Sequence, residues 1–160
     1  MIKFAGVALL AALLCQEKAN PSYEYWSTCK PGSWVKNRMD MEHQGQKFEI
    51  ESTTRLVEVT PEKVLIETVM KNSLPRKTEI KAVEAQKGKT IVEKEAELTV
   101  AGKTLQCRYF EMESEDVEKK KVTVKAWMSK EIPGGIAKSE VLTESVKGPI
   151  RTVALEWEKK

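Results

Sequence analysis

"AWMSKEIPGGIAKSEV", residues 126–141, is the stretch on which the fold turns. Two runs that alternate apolar with polar side chains flank a Pro-Gly-Gly corner. Pro133 presets the backbone dihedral of a second turn position and Gly134 accepts the positive φ of the third, so Ile132-Pro133-Gly134-Gly135 predicts a type II turn. A glycine loop that cradles phosphate leads from a strand into a helix. Here the chain after the glycines, Ile136-Ala137-Lys138-Ser139-Glu140-Val141, keeps a strand's alternation. The stretch reads as a β-hairpin.

The same two-residue period extends outward. Val122, Val124, Ala126 and Met128 alternate with Thr123, Lys125, Trp127 and Ser129, and Val64, Ile66, Thr68 and Met70 alternate with Leu65, Glu67, Val69 and Lys71. Turn signals at Thr60-Pro61-Glu62-Lys63, Ala101-Gly102 and Lys147-Gly148-Pro149 separate the runs, and such connections are too short for helical crossovers. Eight or nine strands are expected, beginning near Ser33, Lys47, Val64, Lys77, Ile91, Lys103, Val122, Ile136 and Arg151. They form an all-β antiparallel meander, curved into a half-barrel or partly closed barrel so that its edges and second face are covered. Residues 75–97, rich in Lys, Glu and Ala, fit strands, a loop or a short helix equally.

The chain of 160 residues opens "MIKFAGVALLAALLC", with eleven residues from Phe4 to Leu14 forming an apolar run. That is about half of the ~20 residues a membrane span requires and matches the core of an export signal. Residues 1–15 are read as a signal peptide, 16–32 as an irregular N-terminal segment rich in Tyr and Trp, and 33–160 as one β domain. Cys15 is placed where a lipoprotein carries its acyl chains, and cleavage between Cys15 and Ala19 is the competing reading. Either way the destination is exported: periplasmic, outer-membrane lipoprotein or secreted. The membrane is then reached only through a lipid anchor at Cys15.

Lys and Arg number 27 against 24 Asp and Glu, for a net charge of +3. The two signs are interspersed, which does not make the one-sided basic face that a nucleic-acid partner requires. In an oxidising compartment Cys29 and Cys107 are the remaining pair, and a disulfide between them is expected.

Catalytic chemistry finds little support. His43 stands alone beside a turn glycine, so schemes that need two imidazoles, zinc sites included, have no donor set. There is no Gly-x-Ser-x-Gly elbow around Ser33, and Cys107 lies in a strand pattern without an activating base. Glu49, Glu51, Glu58 and Glu67 read as solvated strand-face residues. The charge-dense run "ESEDVEKKK" at 113–121 reads as a solvated hairpin end, lacking the oxygen spacing and turn glycine of a calcium loop. No catalytic residue, metal or cofactor is expected.

The hairpin at 126–141, with "CKPGSWV" upstream and a closing "LEW", resembles a pattern in small, uncharacterised exported β-proteins of bacteria. A Trp-bearing strand, a Pro corner and a returning strand in an exported meander also resemble the half-barrels of LolA/LolB-type lipoprotein carriers. That resemblance implies acyl chains held on the concave side of the sheet. Gly32-Ser33-Trp34 is similar to the Gly-x-Trp that opens lipocalins, which implies Arg151 packed over Trp34. Trp127 faces away from the Val122, Val124 and Ala126 stripe, either buried under the N-terminal segment or a loop, or lining an apolar site. The expected function is a non-catalytic binding protein for a lipid-like or other apolar ligand, with Trp34, Tyr109, Trp127 and Met128 as candidate lining. An envelope module with a filled core and a protein partner is the alternative.

Overall fold

The computed structural model describes residues 17–85 and 88–160. The leader and Cys15, with the choice between acylation and cleavage there, lie outside the described residues. In chain order the elements are β1 (Glu17–Ala19), α1 (Pro21–Ser27), β2 (Trp34–His43), β3 (Gln46–Val59), β4 (Lys63–Met70), β5 (Arg76–Lys81), β6 (Val83–Ala85), β7 (Lys89–Val100), β8 (Lys103–Glu115), β9 (Lys121–Met128), β10 (Ile136–Thr143) and β11 (Ile150–Glu158).

Nine of these strands pair antiparallel in the order β5-β4-β3-β2-β11-β10-β9-β8-β7. Each begins within two residues of the start that the alternation implied. Every hairpin joins neighbours, as a meander requires. The sheet's two free edges, however, are not its first and last strands. β2 pairs with β11 along its length, Arg151 opposite Asp40 and Trp157 opposite Val35, so the meander is cut open between β5 and β7. The ambiguous stretch at 75–97 resolves into those two edge strands and β6. Their Lys and Glu side chains blunt the exposed edges.

Chain length forces the sheet to curve. Eight spacings of ~4.8 Å would part β5 and β7 by about 38 Å in a flat sheet. The eight residue steps from Lys81 to Lys89 reach at most ~29 Å even fully extended. Irregularities in β3, β7, β10 and β11 add local bend and twist. The curl brings β8 over β11, three strands away, where the Lys103 ammonium lies 4.7 Å from the Trp157 ring centre. β6, paired with β1, runs along the open seam.

The N-terminal segment is not irregular. Asn20 caps α1, its Oδ1 accepting from the Ser22 amide at 3.0 Å, and Pro21 occupies the first turn, where its missing N–H costs nothing. The Tyr23 hydroxyl donates to the Thr60 carbonyl at 2.8 Å beside β3 and β4. At the helix's other side Trp26 and Tyr25 lie against Gly134 and Gly135 of the β9–β10 corner. In the sheet β4 and β9 are five spacings apart, about 24 Å if flat, whereas a seven-residue helix is only ~10 Å long. The face that α1 touches is therefore the concave one.

The Ile132–Gly135 corner is the type II turn expected there. Gly134 has φ +76°, and the Gly135 amide donates to the Ile132 carbonyl at 2.8 Å. Unlike an ordinary hairpin tip it is buried, with Ile132 and Pro133 sealed beneath α1. A Cβ on Gly134 would stand 2.6 Å from Trp26 Nε1, so the glycine makes room for the helix as well as for the turn.

The core gathers at this end of the sheet. Val35, Leu56, Val64, Val100, Leu105, Cys107, Ala137 and Ala154 pack with Trp26, Cys29 and Ile132. Around it, the Gly32 amide donates to the Leu56 carbonyl at 2.8 Å and the Ser33 hydroxyl accepts from the Lys160 amide at 2.9 Å. The expected disulfide is not formed. Cys29 and Cys107 are both buried free thiols, and Cys29 Sγ, just past α1, is engaged with that helix's Tyr25 carbonyl at 3.5 Å. Burial pushes the Cys107 thiol up, which keeps its sulfur protonated.

Candidate functional site

Strand registers sort every side chain onto one face or the other, because residues directly opposite share a face. Lys36, Arg38, Asp40, Glu49, Glu51, Arg55, Lys125, Lys138, Glu140 and Arg151 fall on the convex face. Lys36 meets Glu51 at 2.8 Å, Lys138 meets Glu140 at 3.1 Å, and Lys63 meets Glu79. Glu49 and Glu51 stand on this face as solvated residues, and the Lys36 ammonium beside Glu51 holds that carboxyl below its ordinary value.

The opposite face has another chemistry. Met39, Met41, Phe48 and Ile50 of β2 and β3 share it with Ile150 of β11, Val141 of β10, Val122 and Val124 of β9, and Phe110 and Met112 of β8. These residues lie in the half of the sheet away from α1, and none is buried; Phe48 is 43% exposed. Between them and the sealed core runs a belt of small polar residues, Thr54, Ser52, Asn37, Thr152 and Ser139. The concave side is thus a groove, closed at one end by α1 and the Pro133 corner and open at the other.

Electrostatics mark one point in the belt. Asn37 Oδ1 is buried without a hydrogen-bond partner, between Ser52 of β3 and Ala154 of β11. An orphaned acceptor of this kind costs roughly 1–3 kcal/mol. Asn37→Leu, close in volume, is therefore expected to raise stability by about 1 kcal/mol in urea unfolding. A lower midpoint would mean that the amide has a partner in solution. The same acceptor is available to a hydroxyl or amide donor on a bound molecule.

At the open end a cleft of about 480 Å³ lies between the β2–β3 hairpin and the β10–β11 turn, lined by Met41, Phe48, Asp40, Lys47, Pro149 and Arg151 among others. Asp40, Glu42, Lys47, Glu49 and Arg151 bring it the charge of the convex face, while Met41 and Phe48 belong to the concave one. Next to it the Asp116 carboxylate organises the β8–β9 loop, accepting from the Glu118 amide at 2.8 Å, the Lys120 amide at 2.9 Å and the Ser145 hydroxyl at 3.0 Å. The Lys120 amide is the chief reason that this carboxyl is held below its ordinary value.

The residues singled out from sequence are not gathered in the groove. Tyr109 and Trp127 do meet, ring centres 4.8 Å apart and tilted by 51°. They do so beside the core, Trp127 packing against its cluster and Tyr109 on the β8 face of Leu105 and Cys107, with the Lys138 ammonium 4.7 Å from the Trp127 centre and the Tyr109 hydroxyl bonded to Glu111 at 3.1 Å. Burial, followed by that bond, raises the Tyr109 pKa. Trp34 is convex-facing, its Nε1 donating to Glu158 at 3.2 Å. Met128 points to the concave side but is buried at the closed end against Gly135 and Tyr25. Arg151 pairs with Glu140 near the opposite end of β11 from Trp34, so the lipocalin arrangement of Arg over Trp is not made.

What the alternation missed was the wall formed by Met39, Met41, Phe48, Ile50 and Met112. Its signal was present in the apolar parity of each strand, but only the registers align those parities into one surface. Among the described residues no group of three His, Cys, Asp or Glu side chains could hold a metal ion, and no helix is long and apolar enough to cross a membrane. His43 ends β2 as an exposed residue at the hairpin. No protein-family model and no curated protein sequence matches this chain.

Proposed function

We propose that this protein is a non-catalytic, exported binding protein that takes an acyl-chain-like apolar ligand along the concave face of its sheet. The observation that carries this reading is the one-sidedness of the sheet. Charged pairs cover the convex face, while the concave face presents Met, Phe, Ile and Val side chains that no second layer covers among the described residues. Uncovered apolar surface of this extent in a curved sheet is what an apolar ligand would fill. Methionines suit a cargo of variable shape, since their unbranched side chains repack around it.

The geometry favours an elongated ligand lying along the strands. A polar group carried at its inner end would meet the belt of Asn37, Ser52 and Thr152. The resemblance to half-barrel lipoprotein carriers points to the same class of cargo. The alternative reading, an interaction module of the cell envelope, draws on the cleft at the open end, which is lined by charged as well as apolar residues.

The test is a fluorescence titration with N-phenyl-1-naphthylamine or a polyene fatty acid. Saturable binding is expected. Ile50→Lys and Val141→Lys, which place a charge in the groove, are expected to weaken it on the order of tenfold or more. Val69→Lys, on the convex face at 41% exposure, serves as the control and is expected to leave binding unchanged. No saturable binding by the folded protein, or equal binding by all three variants, would overturn the reading.

A further inference from the structure

We infer that the open end of the sheet docks on an anionic phospholipid surface, inserting the tips of the β4–β5 and β8–β9 loops. In an antiparallel meander the hairpin loops alternate between the two ends. The loops at 44–45, 71–75, 116–120 and 144–149 therefore all emerge at the end opposite α1 and the buried core. The Asp116 to Ser145 hydrogen bond and the cleft between the β2–β3 and β10–β11 turns tie three of them together.

Two of these loops end in an apolar side chain with nothing over it. Leu74 is 90% exposed and Val117 101% exposed, the two most exposed large hydrophobic residues among those described. A single exposed apolar residue has no special meaning, but two at loop tips of the same end, one toward each edge of the sheet, form a pattern. The backbone that follows Val117 is fastened by Asp116, which accepts from the Glu118 and Lys120 amides.

The charge around the tips selects the partner. The stretch "KNSLPRK", 71–77, surrounds Leu74 with Lys71, Arg76 and Lys77 and contains no acid. Among the described residues none of these three, nor Lys119 beside Val117, forms an ion pair. At the second tip Glu118 is engaged with Lys120 at 2.5 Å and Asp116 with the loop itself, while Glu115 is exposed and, among the described residues, in no ion pair. The Leu74 tip, ringed by available cations, matches an anionic bilayer, where each Lys or Arg gains by approaching the surface, and the Val117 tip, with Lys119 beside it, adds an apolar side chain that gains by leaving water. Docked in this way, the mouth of the groove would face the lipid.

Cosedimentation with vesicles tests this on the full-length mature protein. Binding is expected to vesicles of phosphatidylglycerol and phosphatidylcholine in equal parts, to be far weaker to phosphatidylcholine alone, and to fall steeply with salt. The Leu74→Asp, Val117→Asp double variant is expected to weaken it by at least about tenfold. Reversing Lys71, Arg76 and Lys77 to Glu is expected to weaken it on the order of a hundredfold. Val57→Asp, an exposed site at the closed end, is the control. No binding to anionic vesicles, equal binding to neutral ones, or binding unmoved by the tip variants would overturn the inference. Titrating the same variants with the apolar probe in vesicle-free buffer keeps this outcome separate from ligand binding in the groove.

Discussion

Gly134→Ala is expected to destabilise the protein by about 3 kcal/mol or more, a large fraction of the stability of a domain this size. Two costs combine. Gly134 has φ +76°, and an L-residue held in that region pays roughly 1–2 kcal/mol. The new methyl would also stand 2.6 Å from Trp26 Nε1 and 2.7 Å from Cε2, inside a buried contact. Overpacking of that kind costs a further 1–3 kcal/mol or so, because the indole is wedged between the corner and the sheet and has nowhere to retreat.

Gly45→Ala separates the two costs. Gly45 has φ +79°, but a Cβ there would meet nothing within 4 Å, so it carries the dihedral penalty alone. Urea unfolding of both variants should place Gly134→Ala at least about 1 kcal/mol below Gly45→Ala. Equal losses would mean that Trp26 is not seated on the corner. The concave face would then not be sealed at this end.

The local grammar of the chain carried most of the fold. Alternation at 64–71 and 122–129 located strands, and short connections dictated antiparallel neighbours. Which strands become edges was not local information. The pairing of β2 with β11 joins residues more than a hundred positions apart, and no turn or period announces it. α1 escaped notice because seven residues make only two turns and show no apolar stripe. Its start was legible all the same, in an Asn cap followed directly by Pro21. The candidate site shows the same division. Parity set Trp127 apart from the Val122 and Val124 stripe, but ranking an aromatic above a methionine pointed to a side chain packed against the core rather than to the exposed wall. Beside the core Trp127 and Tyr109 stack under lysines, half-buried. The groove is built from residues that are ordinary one by one: Met39, Met41, Ile50 and Met112 become a surface only through their neighbours across the ladder.

Leu56→Ala and Met39→Ala, on the same concave face, are expected to differ by at least about 2 kcal/mol in stability. Leu56 is 1% exposed and packs in the cluster beneath α1, so its truncation leaves a cavity that the rigid closed end cannot fill, costing about 3 kcal/mol. Met39 lies beyond the Asn37 belt, half-exposed, and loses little burial when shortened; about 1 kcal/mol or less is expected. Amide exchange should follow the same gradient, slow around Leu56, Val64 and Leu105 and faster toward the 116–120 and 144–149 loops. The contrast bears directly on function. A binding face has to be left unfinished by folding, with apolar side chains whose contacts come from the ligand rather than from the core. If Met39→Ala proved as costly as Leu56→Ala, the open half of the sheet would already be packed in the free protein, and the groove would have no vacancy for a ligand to occupy.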